Sequence, residues 1–302
     1  MSDLLYGIDL GGTKIEGVAL RATDPSDVVA RMRIDTEAAQ GYEHILQRIK
    51  KLTGMMQQET GHKPDRLGIG TPGSIDPYSG LLKNSNTTVL NHQPFKKDLE
   101  ALLRFPTLIA NDANCFALAE ARMGSVPEQV PDAQIVFGVI MGTGVGGGLV
   151  INGRIINGNM GIAGEWGHNH LDDSGGPCYC GKVGCVEKVI SGTALQAFYE
   201  SESGERRKLK DIVSRTDEDE AAKATIERLN HFFGKGISVV IDILDPDVIV
   251  LGGGVGNIDS LYTEGVKWAG KYTFNTRFDT PIIRPKLGDS AGVFGAALLT
   301  IE

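Results

Sequence analysis

The chain carries 302 residues, 41% of them hydrophobic, with 40 glycines and a formal charge of −8. That content cores one large domain or two lobes rich in tight turns. No apolar run approaches the roughly 20 residues of a membrane helix, and the acidic balance argues against a general nucleic-acid or anionic-membrane surface. An anionic ligand therefore has to be held by local donors: backbone N–H groups, single lysines or a metal ion.

Residues 4–20 read as an apolar strand, the turn Gly11-Gly12-Thr13, and a second strand opening at Lys14. Met1-Ser2-Asp3 runs straight into this pattern, which argues against a secretory leader and predicts the reducing cytoplasm. The turn gathers several backbone N–H groups and a hydroxyl beside one lysine, a concavity suited to phosphate. The same residues also serve an ordinary hairpin turn. The stretch is not a Walker A loop, because that spacing is missing and a strand follows.

Helical spacing covers residues 42–57, and a strand then enters a Pro/Gly loop after Arg66. The polar stretch 73–95 is long for a connection and holds Asn84, Asn86 and Asn91, which suit either a polyol or plain turn chemistry. A short strand, 107–110, ends in Asn111-Asp112-Ala113-Asn114, with helical spacing over 115–122. Asp112 thus falls at the carboxyl end of a strand, the usual place for a site in α/β folds. It is equally a helix N-cap, and the two roles are compatible.

Residues 136–151 repeat the opening plan, apolar strand, turn Gly142-Thr143-Gly144, apolar strand, so the chain reads as internally duplicated. A third cluster, Gly252-Gly253-Gly254, follows the strand 248–251. Three glycine turns after three strands suit a nucleotide in a cleft between two similar lobes.

Three of the four cysteines, Cys178, Cys180 and Cys185, lie within eighteen residues of His168. This is the ligand set of one closed, tetrahedral zinc site; a disulfide or three ordinary buried thiols are the alternatives. His170 competes with His168, which is preferred because Gly167 beside it frees the backbone. Glu165 and Glu187 flank the ligands, and a metal clip would fix both. Helices are expected over 191–200, 208–214, 218–244 and 294–300. The expected division is a small α/β lobe at 1–115, a large α/β lobe at 116–290 and a closing helix at 291–302 that packs back on the first lobe.

Asp9-Leu-Gly-Gly-Thr-Lys14, Asn111-Asp-Ala-Asn114, Gly142-Thr-Gly144, Glu165-x-Gly-His168, Cys178-x-Cys-Gly-x-x-Gly-Cys185-x-Glu187 and Gly252-Gly-Gly254 together resemble the ROK sugar kinases. The resemblance implies a two-lobed, actin-like (ribonuclease H-like) ATPase fold, duplicated, with a structural zinc loop. It implies that Gly11, Gly12, Thr13, Lys14 and the turn Gly142, Thr143, Gly144 hold ATP phosphates, and that Asp9 helps place Mg²⁺. Asp112 would be the general base, and Asn111, Glu165, His168 and Glu187 would bind sugar hydroxyls. His168 would do so through one ring nitrogen while the other ligates zinc. ROK repressors carry an extra N-terminal helix-turn-helix; with the first strand beginning by Leu4, that branch is not the expected one. The stretches 70–95 and 163–169 look most like bacterial fructokinases with mannokinase activity, so D-fructose, then mannose, is the expected acceptor. A glucose or N-acetylglucosamine kinase and a non-catalytic sugar-binding regulator are the alternatives. The resemblance further implies a homodimer.

Overall fold

A computed structural model describes residues 3–301. Two compact units emerge: one takes the chain up to Pro127, Gly148–Ala163 and everything from Leu287, the other Glu128–Gly147 and Gly164–Lys286. The boundary expected after residue 115 falls inside a helix, because that helix packs on the N-terminal sheet.

In the first unit, β1 (Leu4–Leu10), β2 (Lys14–Arg21) and β3 (Asp24–Asp35) form an antiparallel ribbon. Helix α1 (Tyr42–Thr60) leads to β4 (Leu67–Thr71), which pairs parallel with β1. A small hairpin, β5 (Ser74–Ile75) with β6 (Leu82–Lys83), precedes α2 (Phe95–Leu103) and β7 (Thr107–Asn111), which pairs parallel with β4. Then come α3 (Asp112–Arg122) and the single turn α4 (Val126–Gln129). The sheet order is β3-β2-β1-β4-β7. Ile45, Ile49, Leu52 and Met56 of α1 are buried against one side of the core. The closing helix, Ala291–Leu298, lies against β1 and β4 so closely that a Cβ at Gly68 would stand 1.7 Å from the Ala296 carbonyl oxygen. Glycine is what permits this backbone-on-backbone approach.

The second sheet runs β10-β9-β8-β11-β12, from β8 (Ile135–Met141), β9 (Val145–Ile151), β10 (Arg154–Ile155), β11 (Val248–Gly252) and β12 (Ile282–Ile283). The division between units passes through β9, after Gly147. Strand β11 is buried throughout and runs parallel to both neighbours, which is why its sequence is an unbroken apolar run. Both sheets follow one plan: a hairpin ribbon on one side, parallel strands on the other. The helices are α5 (Val186–Ile190), α6 (Gly192–Ser203), α7 (Leu209–Val213), α8 (Glu220–Leu244), α9 (Gly253–Gly256) and α10 (Glu264–Tyr272). Asp219 caps α8 by accepting from the Ala221 and Ala222 N–H groups.

The stretch 73–95 is more ordered than a bare loop. Asp76 accepts from the Tyr78 and Ser79 N–H groups and from Lys83 Nζ at 2.9 Å, closing the β5–β6 turn. Asn91 accepts from the Ser85 N–H and donates back to the Ser85 carbonyl. No helix among the described residues is long and apolar enough to cross a membrane.

Candidate active site

In the first unit the β1–β2 turn is tied from outside. The Gly11 N–H donates to the Lys14 carbonyl at 3.0 Å, and Thr36 at the end of β3 donates its hydroxyl to the Gly11 carbonyl and its N–H to that of Thr13. Gly12, Thr13 and Lys14 are left exposed at the tip. Asp9 stands directly across the ribbon from Glu16, and Glu16 from Arg33. Glu16 is buried and accepts from Arg31 Nε at 2.5 Å and from Arg33. Burial pushes the Asp9 carboxyl up to about 7, with the Asp112 and Glu16 carboxylates adding to the rise and Arg33 opposing it. With Glu16 taken by its two arginines, Asp9 and Asp112, whose charges disfavour one another, are the oxygen donors suited to a hard divalent cation.

Strand β7 hands over to α3 at Asn111, and Asn111 is the N-cap: its Oδ1 accepts from the Ala113 N–H at 2.9 Å while its Nδ2 donates to the Gly73 carbonyl at 3.2 Å. The N-cap position open to Asp112 thus falls to its neighbour, while Asp112 Oδ1 accepts from the same Ala113 N–H at 2.8 Å. Asp112 occupies the first helical turn, where the N-terminal dipole favours an ionised carboxylate. Asn84 adopts a left-handed backbone, and Asn86 beside it is exposed.

In the second unit the Gly142-Thr143-Gly144 turn is closed by the Gly142 N–H on the Gly144 carbonyl. Helix α6 holds it from behind: the Gly192 N–H donates to the Gly142 carbonyl at 2.7 Å, and the Thr193 hydroxyl to the Thr143 carbonyl at 2.9 Å. Glu187 accepts from the Val145 N–H at 3.0 Å and presses so near Gly144 that a Cβ there would stand 2.3 Å from its carboxylate. A pocket of about 570 Å³ opens beside this turn, its walls including Thr193, Gln196, Val213 and Gly254. Gly253 takes φ +78° against the Met141 carbonyl, and Gly254 faces open space. Two of the three glycine clusters thus border one pocket. The α6 and α7 walls were missed in the sequence, where the only hint was the small pair Gly192-Thr193 after Ser191.

The His168, Cys178, Cys180 and Cys185 ligand atoms all lie within 4.8 Å of one another. Cys180 Sγ is 3.5 Å from Cys185 Sγ, and Cys178 Sγ is 3.7 Å from His168 Nδ1. A disulfide requires about 2.05 Å, whereas sulfurs bound to one tetrahedral zinc at about 2.3 Å stand roughly 3.8 Å apart. The donor set and spacing fit zinc. His170 is turned to Asp173 at 3.1 Å and takes no part. Burial raises the Glu165 carboxyl, His168 draws it down and Glu187 pushes it up, which puts all three groups in one neighbourhood. The Trp166 indole donates to the Gly146 carbonyl at 3.0 Å and anchors this segment on β9.

Duplicated sheets with a glycine turn after each first strand, a pocket beside one turn and a clipped carboxylate loop define a sugar kinase with the actin-like ATPase fold. The chain belongs to the ROK family, whose model matches residues 5–302. It is 36% identical to the N-acetyl-D-glucosamine kinase of Vibrio atlanticus (strain LGP32), over 99% of this chain and 100% of that one. The ROK hexokinase from Thermus thermophilus superposes with a TM-score of 0.86 at 29% identity, covering 98% of this chain and 97% of the other. The ROK family glucokinase from Streptomyces griseus, solved with glucose and AMPPNP, gives 0.77 at 26% identity, covering 98% of each. The expectation of fructose draws no support from these relatives, and part of the 73–95 stretch that suggested it is spent on its own turns.

Proposed function

We propose that this chain is an ATP-dependent N-acetyl-D-glucosamine kinase that transfers the γ-phosphoryl group to the sugar 6-hydroxyl. The observation that carries the choice of sugar is the 36% identity, end to end, with a kinase of that name. In this reading Asp112 accepts the hydroxyl proton, a step worth about 10²–10⁴-fold. The turns at Gly11–Lys14 and Gly142–Gly144 hold the phosphates through backbone N–H groups, with the third cluster, Gly252–Gly254, under the rest of the nucleotide. Mg²⁺, placed with the help of Asp9, would neutralise charge on the transferring group. Asn86, Asn111, Glu165, His168 and Glu187 orient the sugar, so that positioning supplies much of the acceleration. Zinc on His168, Cys178, Cys180 and Cys185 would be structural, since four protein ligands leave no open position.

The test is ADP release from Mg-ATP with N-acetylglucosamine, glucose, mannose and fructose, with Asp112→Asn alongside. N-acetylglucosamine should lead by about tenfold or more in kcat/KM, about 1.4 kcal/mol of transition-state discrimination. Asp112→Asn should keep sugar affinity and lose at least ~10²-fold in kcat; retention of a tenth of wild-type kcat removes it as the base. Another sugar in the lead moves the substrate and leaves the chemistry, while binding without turnover in all four turns the chain into a sugar-responsive regulator.

A further inference from the structure

The nitrogen of His168 that faces away from the thiols is already occupied. Tyr179 Oη lies 3.0 Å from His168 Nε2, and the two rings meet edge-on with centroids 5.2 Å apart. Nδ1 is the nitrogen turned to Cys178. Once Nδ1 is spent on the metal, the remaining ring proton sits on Nε2, and Tyr179 is its acceptor. Resting on the sugar-binding role given to His168 above, we propose that Tyr179 is a removable cap on the sugar-facing nitrogen of the zinc-ligating histidine. Its hydroxyl stands in for a sugar oxygen and is displaced when the sugar arrives.

One general constraint and two observations support displacement over a fixed role. One N–H serves one acceptor well, so a sugar oxygen and Tyr179 Oη compete for it. Tyr179 is 80% exposed, so swinging the ring away uncovers almost no buried surface. Its neighbours Cys178 and Cys180 belong to the metal clip, so only the side chain has to move. The cap keeps the imidazole aligned while the sugar is absent, and it lowers apparent affinity by the fraction of time that Nε2 is covered.

Tyr179→Phe keeps the ring and deletes the competing oxygen. Sugar affinity by titration calorimetry, steady-state kinetics and zinc content are compared with wild type, using N-acetylglucosamine or whichever sugar leads the panel above. A failed substrate assignment and a failed cap are then separate results. The cap predicts Kd and KM lower by roughly two- to tenfold, the worth of one hydrogen bond, with kcat and zinc content unchanged. An unchanged or raised Kd overturns it, the raised value by making Tyr179 a sugar ligand.

Discussion

Asp9 and Glu16 are like charges placed directly opposite on one ribbon, an arrangement that costs stability wherever both are ionised. The two arginines pair Glu16, while burial first, and then the Asp112 and Glu16 carboxylates, push the Asp9 carboxyl up to about 7. Because the folded state holds this proton more tightly than the unfolded chain, stability falls as pH rises from about 4 through 7. The cost at pH 8 is on the order of 4 kcal/mol at most. Asp9→Asn should therefore raise the melting temperature of the metal-free protein at pH 8 and raise it only about a quarter as much near pH 4.5. Equal shifts at both values would mean the gain has nothing to do with charge. At this scale the sequence was legible in residue types and blurred in their assignment. Asn111 and Asp112 both suit an N-cap, and only the start of α3 decides between them. The contact of Tyr179 with His168 depends on how the loop folds back and left no signature in spacing.

The loop that carries the His168 and cysteine cluster is held twice. Besides the thiol cluster, Arg228 of α8 donates to Ser174 Oγ at 2.8 Å and Lys235 donates to the Leu171 carbonyl at 3.0 Å. The pocket beside Gly142 is walled largely by α6, α7 and α9, none of which carries a ligand of the clip. Stripping zinc, or Cys180→Ser, should leave the chain folded and ATP affinity within about threefold by titration, while sugar turnover falls ~10-fold or more. Parallel loss of ATP binding would show that the loop supports the whole unit. Ligand spacing made the clip readable before any fold was known. The walls of the pocket were not, because α6 and α7 are ordinary amphipathic helices whose lining residues carry no pattern apart from their position. The hairpin at β5–β6 was hidden for a similar reason: two-residue strands are too short for alternation to register.

Duplication was visible in the repeated strand, turn and strand, and the two five-stranded sheets carry that repeat into their strand order. The boundaries of the units were less visible, since each is assembled from separated segments of chain and α3 shows no break in composition where the expected division fell. One strand carries a further consequence. β3, the longest, ends its sheet, and unpaired strand edges template association between copies. This edge is blunted by Pro25, by a register irregularity around Leu20, and by the exposed charges of Asp24, Asp27, Arg31 and Arg33. Asp27 is exposed, and its solvent-screened ion pair with Arg21 contributes little. The double change Pro25→Val, Asp27→Val should accordingly spare folding and catalysis yet bring on scattering and fibrillar aggregates during mild heating, at temperatures where the parent chain stays clear. If that outcome is found, the edge residues are what keeps concentrated enzyme from polymerising through its own sheet.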